Sequence, residues 1–323
     1  MLYPTAGKHP DSGFFGYSFR KNPVYTYFLL PDKIKRSYNR YDCVFQTETT
    51  IGGIIVSKKP VLLILGLTIC FYTGCAVNPI TGEKELMFFP ESQDIAIGQK
   101  YAPEVEKQMG GRVADAGLQN YLDSVGHRIA AVSHKRNLEY HFVALEHKSI
   151  NAFALPGGYI FITRGMLEKL ATEAQLAGIL AHEIVHIVAR DTSNAMSNQI
   201  GMNLLLLAAA STNKAPSGAL RVADVTRQIL GLKYSRKDER EADLGGLDYM
   251  VRAGYNPYGM VETMEILENE QRVRPIEFFS THPSPENRIA YLTRKIQRKY
   301  YNLTGLKVGK EDYRTAVLEQ LNY

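Results

Sequence analysis

The feature that most constrains this chain is a polar trio inside an apolar, helix-forming segment, ILAHEIVHIVAR at residues 179–190. His182 and His186 are four residues apart, so a helix places both on one face with their Cβ atoms roughly 5–6 Å apart. The flanking residues are small or apolar, and burying two imidazoles and the Glu183 carboxylate among them without partners is costly. Either neighbouring polar groups satisfy the trio, or a metal ion does.

The spacing H-E-x-x-H favours the metal ion, because it is the pattern of zinc peptidases. His182 and His186 can bind one zinc ion, whose Zn–N bonds are ~2.0–2.1 Å long. Glu183 lies beside the first ligand, where it can take a proton from the attacking water and pass it to the leaving amine. We therefore predict one Zn²⁺ per chain, with Glu183 as the general base.

A catalytic zinc usually has three protein ligands and a water molecule. The extended pattern HExxHxxGxxH would need Gly at 189 and His at 192, where this chain has Ala189 and Thr192. Thiolate ligands are excluded from the C-terminal body, because the cysteines are confined to Cys43, Cys70 and Cys75. A carboxylate on a second helix is the remaining common solution.

The segment DEREAD at residues 238–243 supplies such carboxylates. Glu239 and Asp243 are four residues apart and share a helix face, whereas Glu241 points nearly opposite. We predict Glu239 as the third zinc ligand and Asp243 as the acceptor of the free N–H of a zinc-bound histidine. The alternative is a solvated run of charges on a surface helix.

These motifs resemble the zinc metallopeptidase family of the CAAX prenyl protease, the HtpX heat-shock protease and the mitochondrial Oma-type protease. The resemblance covers about residues 78–290 and rests on HEIVH, on YSRKDEREADLGGLDYMVRAGYNP (234–257) and on NAFALPGGYIFITRGML (151–167). NPITGEKELM (78–87) is similar to the segment after the lipid cysteine of bacterial lipoprotein members. The resemblance implies a gluzincin fold with the glutamate of ExxxD as third ligand, which agrees with Glu239.

Hydrophobic periodicity predicts a mainly helical α+β fold with a small β-sheet or hairpin packed beside the HExxH helix. The resemblance implies that this is a zincin-type domain. Residues 138–146 alternate as a strand does, and a Pro-Gly-Gly turn joins two β-rich runs within 151–167. TEAQ (172–175) has the pattern of a capping box at the start of the HExxH helix. We place the peptidase domain at 93–300 and a C-terminal tail at 301–323.

The segment at residues 58–74 has the layout of a secretory signal. Two lysines precede an apolar run from Val61 to Phe71, and Thr73-Gly74 precede Cys75. This predicts a bacterial lipoprotein signal, with Cys75 as the lipidated first residue. An uncleaved membrane anchor or a buried core segment are the alternatives, and Pro60–Val77 is at the short end of the about 17–25 residues that span a bilayer.

The remaining N-terminal boundaries follow from this signal. Residues 1–57 form an N-terminal extension that either belongs to the protein or precedes its true start, and residues 75–92 form a tether. Residues 1–59 hold nine Lys/Arg and four Asp/Glu, and so carry the whole net charge of +5. The neutral body lacks a basic stripe, which argues against nucleic acid as a partner.

Two further features bear on substrate and control. His282, in THPSPENR (281–288), could swing to the zinc and block it or stabilise the oxyanion, and the family often has a His-Pro pair here. The alternative is a loop histidine that fixes the turn. An edge strand formed by Asn151, Ala152, Phe153 and Ala154 could bind an extended substrate through main-chain hydrogen bonds. The alternative is an ordinary hairpin.

The sequence thus predicts a zinc endopeptidase, attached by lipid to the periplasmic side of a bacterial membrane, that degrades misfolded or damaged envelope proteins. Ala76 rather than Asp follows the lipid cysteine, which fits the outer membrane. The rival is an assembly chaperone for membrane proteins with a structural zinc, or one latched by His282. A catalytic site keeps an open water position, whereas a structural site is closed by four protein ligands. A scaffold lipoprotein without metal is a third alternative.

Overall fold

The structure is a computed structural model that describes residues 75–87, 89–199 and 222–321, with strands at 48–51 and 54–57. The chain divides into two compact units, Met1–Gly66 and Leu67–Tyr323. In the first unit, β1 (Glu48–Ile51) and β2 (Ile54–Ser57) form an antiparallel hairpin. The predicted lipoprotein signal or anchor at 58–74 and most of the N-terminal extension lie outside the described residues.

The second unit begins with a hairpin of β3 (Cys75–Val77) and β4 (Lys84–Leu86), in the segment predicted as a tether. The hairpin contacts the helical body: the Asn78 amide donates to Glu241 Oε2 at 3.3 Å, and the Asn194 amide donates to Glu85 Oε2 at 3.0 Å. A Cβ atom on Gly245 would lie 3.5 Å from an Ile80 methyl carbon. Residues 75–86 are therefore an ordered part of the unit.

The rest of the second unit is mainly helical, which confirms the predicted α+β class. Residues 191–199 are also helical, and Arg314–Leu318 form a π-helical turn. The described helices are α1 (Glu91–Gln108), α2 (Ala116–Ala130), α3 (Arg164–Leu167), α4 (Glu173–Ala189), α5 (Val222–Leu230), α6 (Arg236–Arg252), α7 (Tyr258–Val273), α8 (Phe278–Thr281), α9 (Arg288–Lys299), α10 (Lys310–Tyr313) and α11 (Glu319–Leu321). Among these described helices, none is both long and apolar enough to cross a membrane.

A three-stranded sheet lies beside these helices in the order β5-β7-β6. Its strands are β5 (His141–Leu145), β6 (Ala152–Leu155) and β7 (Tyr159–Thr163). β5 runs parallel to β7, and β6 is antiparallel to it through the predicted Pro-Gly-Gly turn. Gly158 in that turn has φ +102°, and a Cβ there would lie 2.1 Å from the Glu139 carbonyl oxygen, so this close turn requires glycine.

Helix α4 is the centre of the core, and all of its 17 residues are buried. It packs against α2, α6, α7 and the sheet. Thr172 Oγ1 accepts from the Gln175 N–H, as predicted, whereas Gln175 Oε1 accepts from the Ala171 N–H at 2.7 Å rather than from the Thr172 N–H that a capping box requires. A buried helix of this kind holds polar residues only where they have partners.

The C-terminal segment predicted as a tail also packs on this core. Tyr313, Val317 and Leu321 are buried, and the Tyr313 hydroxyl donates to the Leu167 carbonyl oxygen at 2.7 Å. The packed core of the second unit thus extends beyond residue 300, where the sequence places the end of the peptidase domain. Its first long helix begins at Glu91, two residues before the predicted domain start.

Candidate metal centre

The two histidines of HEIVH meet inside the core. Their Nε2 atoms lie 3.1 Å apart, and both rings are buried. Close packing of α6 on α4 brings the third group to them: a Cβ on Gly246 would lie 3.3 Å from the His182 backbone nitrogen. Glycine at this position lets α6 approach the HExxH helix at the level of its first histidine.

Glu239 completes a triangle with the two imidazoles. Its Oε2 lies 3.4 Å from His182 Nε2, and its Oε1 lies 3.4 Å from His186 Nε2. Two donors ~2.0–2.1 Å from a tetrahedral ion are roughly 3.3 Å apart, so the three groups are spaced as ligands of one zinc ion.

Unpaired oxygens at the centre give a second test of the fit. Both carboxylate oxygens of Glu183 are buried and accept no hydrogen bond from the described residues; the same holds for Glu239 Oε2, which lies 3.4 Å from Arg288 Nη2. A buried carboxylate without a partner is strongly disfavoured, and a bound cation removes that cost. The donor set of two imidazoles and a carboxylate is also one that zinc prefers. The residues present therefore fit zinc.

The electrostatics of the centre also favour a cation. Burial favours the neutral form of the Glu239 carboxyl, but His282 and His182 outweigh it and hold its pKa well below the usual range. Burial likewise disfavours the His186 imidazolium, but Asp191 and Glu239 outweigh it and raise the pKa of His186 well above its usual value. The buried carboxylates thus create a site that stabilises positive charge.

Each histidine presents its other ring nitrogen to a carboxylate. His182 Nδ1 lies 3.1 Å from Asp243 Oδ1, the group predicted for this role, and His186 Nδ1 lies 2.7 Å from Asp191 Oδ2. Such contacts fix the tautomer and leave Nε2 free to face a metal. The sequence reasoning missed Asp191, which follows Arg190 at the end of α4.

Asp243 is in turn held by Arg288, which is buried. The guanidinium donates to Asp243 Oδ2 from Nε at 2.8 Å and to Oδ1 from Nη2 at 2.6 Å, and the Tyr291 hydroxyl also donates to this carboxylate. Burial favours a protonated Asp243, but Arg288 and His182 outweigh it and lower the pKa of Asp243. A bidentate arginine keeps the carboxylate ionised and oriented toward His182. Neither partner was foreseen from the sequence.

His282 lies within the same cluster. Four potential ligand atoms lie within 4.8 Å of one another, one from each of His182, His186, Glu239 and His282. His282 Nδ1 donates to Glu239 Oε1 at 2.8 Å, and its Nε2 lies 3.7 Å from Glu183 Oε1. The ring is fully buried and stacks on Phe278. In this conformation His282 occupies the space beside the three other groups.

Tyr234 is a further residue that the sequence reasoning missed. Its ring stacks on His186 with centroids 4.0 Å apart and an interplanar angle of 10°, and its hydroxyl lies 2.9 Å from Thr192 Oγ1. Tyr234 therefore covers one face of the second histidine. Its signal in the sequence is weak, because it stands alone before the serine that caps α6.

The predicted substrate strand lies at one edge of the sheet, next to the cluster. Asn151, Ala152, Phe153 and Ala154 are all buried. A cavity of about 20 Å³ is shared by Phe153, Ala154 and Leu155 with six further residues, Ile229, Leu230, Leu232, Tyr234, Thr281 and His282. β6 is therefore a buried edge strand in this conformation.

The fold and this centre define a zinc metallopeptidase of the HExxH class. The model of peptidase family M48 matches residues 117–296, more than half of the chain, and the chain belongs to this family. The prediction of this family from HEIVH and the DEREAD segment is thereby confirmed, and so is the prediction of zinc as the cofactor.

Two kinds of relative stand out among the similar proteins. The chain is 30% identical over 209 residues to the beta-barrel assembly-enhancing protease of Escherichia coli (strain K12), covering 61% of this chain and 42% of that protein. It is 32% identical over 233 residues to the mitochondrial metalloendopeptidase OMA1 of Schizosaccharomyces pombe, covering 70% and 68%. The OMA1 of Saccharomyces cerevisiae is 25% identical over 283 residues, covering 80% and 81%. The chain thus spans about two fifths of the bacterial relative.

Proposed function

We propose that this chain is a zinc-dependent endopeptidase that cleaves misfolded or damaged proteins of the bacterial cell envelope. The observation that carries the proposal is the buried triangle of His182, His186 and Glu239, with the unpaired carboxylate of Glu183 beside it. The names of the relatives, a protease that enhances β-barrel assembly and a metalloendopeptidase, support the same class of reaction and a protein substrate.

The roles of the residues follow from their positions. His182, His186 and Glu239 would hold the zinc, which supplies a Lewis acid and lowers the pKa of water to about 7. Glu183 takes the proton of the attacking water and delivers it to the leaving amine. Asp243 and Asp191 hold the two imidazoles in the required tautomer through Nδ1.

We assign His282 the role of a latch in this conformation. Its Nδ1 donates a hydrogen bond to Glu239, and its Nε2 lies 3.7 Å from Glu183 Oε1. The ring therefore lies in the space beside Glu183 where water must attack the substrate carbonyl. Hydrolysis therefore requires the His282 ring to move away from Glu183, and stabilisation of the developing oxyanion is its alternative role.

The substrate would bind as an added strand on β6. Main-chain hydrogen bonds to residues 151–154 select an extended backbone rather than a side-chain motif, which suits unfolded chains. Because residues 151–154 are buried and two of them share a small cavity with Ile229, Leu230, Leu232 and Tyr234, an added strand requires that segment to move. In this conformation His282 blocks the metal centre and the edge of β6 is buried, so we propose that both open together to admit the substrate.

The proposed location is the periplasmic side of the outer membrane, with lipid attached at Cys75. It is supported by the layout of residues 58–75 and by Ala76. The chain covers only 42% of the bacterial relative, so we propose for it only a class of substrate, proteins of the cell envelope, and not the particular substrates of that protein.

An assembly chaperone for membrane proteins is the second candidate. It is favoured by the same four-residue cluster, because four protein ligands close a zinc site against water. In that case His282 would stay beside the metal permanently, and binding of an unfolded chain would not lead to cleavage.

The test is cleavage of casein by the full chain in neutral detergent, with zinc content measured in parallel. We expect the wild type to hold one zinc ion and to cleave casein. Glu183→Gln should also hold zinc, but its rate of casein cleavage should be about 10²–10⁴-fold lower. His282→Ala should cleave faster than the wild type if the latch is rate-limiting. Zinc-loaded wild type and His282→Ala that both fail to cleave casein would establish the chaperone instead.

A further inference from the structure

Away from the metal centre, two clefts meet at the end of α6. The first has a volume of about 660 Å³ and lies between the start of α1, the segment 131–138 and Arg252. The second, of about 400 Å³, extends from Arg252 to Lys299 and to Ile80 of the β3–β4 hairpin. His134 and Arg252 line both clefts, so the two are adjacent, and we call them together the α6 groove.

The α6 groove is lined by four Lys and Arg residues and by two acids, Glu91 and Asp248, so two of its cations lack an acidic partner. Arg136 and Arg252 are exposed, and neither forms an ion pair with a described residue. Lys135 is paired with Glu91 at 2.8 Å, and Lys299 shares Asp248 with Lys295. Two free guanidinium groups facing one cleft are suited to bind a phosphate, since guanidinium binds phosphate oxygens in pairs.

The same groove has apolar walls beside these cations. Ile95, which is 38% exposed, and Leu138 line the first cleft, and Ile80 and Tyr300 line the second. A free inorganic anion gains nothing from such walls. A phospholipid uses both, because its phosphate meets the cations while its glycerol and upper acyl carbons contact the apolar side chains.

The position of the α6 groove agrees with a lipid as its occupant. Ile80 is five residues after Cys75, so the groove begins within about 18 Å of the proposed lipidation site along the chain. Near it, Val77 is 59% exposed and the Tyr301 side chain, two residues after Lys299, is 92% exposed. Exposed aromatic residues beside cations are typical of a membrane-facing surface.

We propose that the α6 groove binds the phosphate headgroup of an anionic phospholipid, with Arg136 and Arg252 as its principal contacts. The contact orients the peptidase unit on the membrane that carries it. The presence of a lipid at this surface rests on the membrane attachment proposed above. The binding of its phosphate rests on the residues of the groove alone.

The test uses the full chain in neutral detergent, titrated with dihexanoyl phosphatidylglycerol, dihexanoyl phosphatidylcholine or inorganic phosphate by calorimetry. We expect saturable binding of phosphatidylglycerol, and affinity at least about tenfold lower for the other two. Arg136→Gln/Arg252→Gln should lower the phosphatidylglycerol affinity at least about tenfold. The matched control, Arg272→Gln/Arg274→Gln, removes the same charge from exposed positions that line neither cleft.

A second measurement does not depend on the variants folding. Phosphatidylglycerol should slow amide hydrogen exchange in residues 131–138 of the wild type, and phosphatidylcholine should not. The proposal would be overturned if phosphatidylcholine or inorganic phosphate bound as tightly as phosphatidylglycerol, or if the double variant kept the wild-type affinity. It would also be overturned if phosphatidylglycerol did not slow amide exchange in residues 131–138. Casein cleavage and flotation on neutral liposomes, measured on the same sample, report separately on the peptidase and on the attachment.

Discussion

His282 Nδ1 donates a hydrogen bond of 2.8 Å to Glu239 Oε1, and both side chains are completely buried. The carboxylate proposed as the third zinc ligand is therefore also the group that retains the latch. Any movement of His282 changes the hydrogen bonding of a metal ligand. The affinity for zinc and the access of substrate to the centre thus both depend on the hydrogen bond between His282 and Glu239, and they should change together.

Glu239→Gln should abolish stable zinc binding, because it removes the charge that the two imidazoles and the ion share. We expect the purified variant to hold much less than one zinc per chain and to show no casein cleavage. Glu241→Gln is the matched control: it lies two residues away on α6 and contacts Asn78 and Lys237 instead. Loss of zinc in both variants, or in neither, would contradict the assignment of Glu239.

Asp191→Asn and Asp243→Asn should each weaken zinc binding by about 10–100-fold, because each carboxylate fixes the tautomer of one ligand histidine. Competition with a chromogenic chelator measures this affinity directly. Asp248→Asn serves as the control, since Asp248 pairs with lysines outside the centre. An Asp191 variant with unchanged affinity would show that its 2.7 Å contact with His186 is only structural.

Glu173→Gln should destabilise the fold without touching the centre. Glu173 is 2% exposed at the first turn of α4 and accepts from the Tyr121 hydroxyl at 2.7 Å, the Tyr255 hydroxyl at 2.8 Å and Lys307 Nζ at 2.6 Å. The amide cannot accept from all three donors, so we expect a loss of about 1–3 kcal/mol in the free energy of unfolding by urea. Glu168→Gln, whose side chain is 49% exposed, should cost less than about 0.5 kcal/mol.

The stabilising contribution of Asp248 should depend on pH. Burial favours its neutral form, but hydrogen bonds from Lys299 and Tyr300 outweigh this and lower its pKa below the usual 3.8. The native state thus binds this proton more weakly than the unfolded state. The contribution is fully present above about pH 4 and is lost as the pH falls through the lowered pKa.

Asp248→Asn tests that dependence. It should lower the free energy of unfolding by about 1 kcal/mol at pH 7, since Asp248 is half-buried, and its effect should shrink in acid. Urea unfolding of wild type and variant between pH 3 and pH 7 measures the difference. A difference that stays constant over this range would show that the loss comes from packing rather than charge.

The sequence predicted the parts of the centre that local spacing determines. His182 and His186 are one helical turn apart, and Glu239 and Asp243 are one turn apart on a second helix, so periodicity alone groups each pair. The α+β class followed from hydrophobic periodicity and from the Pro-Gly-Gly turn at 156–158. Each of these signals lies within a few residues of the feature that it predicts.

The residues that were missed depend on contacts between distant segments. Arg288 holds Asp243 from a helix that begins 45 residues later in the chain, and Tyr234 stacks on His186 from the loop before α6. Neither has a partner at a recognisable spacing. The sequence predicts a tether at 75–92 and does not indicate the hairpin at 75–86, because the hydrogen bonds of the hairpin to Glu241 and Asn194 join positions more than 100 residues apart.

Arg190 adopts a left-handed backbone conformation with φ 64°, which ends α4 one residue before Asp191. In a continuous helix, five residues correspond to a rotation of about 140°, which would carry the Asp191 carboxylate away from His186. The break in the helix therefore allows an i, i+5 pair to form. Arg190 is itself tied to Asp94 of α1 by its guanidinium at 2.5 Å, so the first long helix of the unit holds in place the break that brings Asp191 to His186.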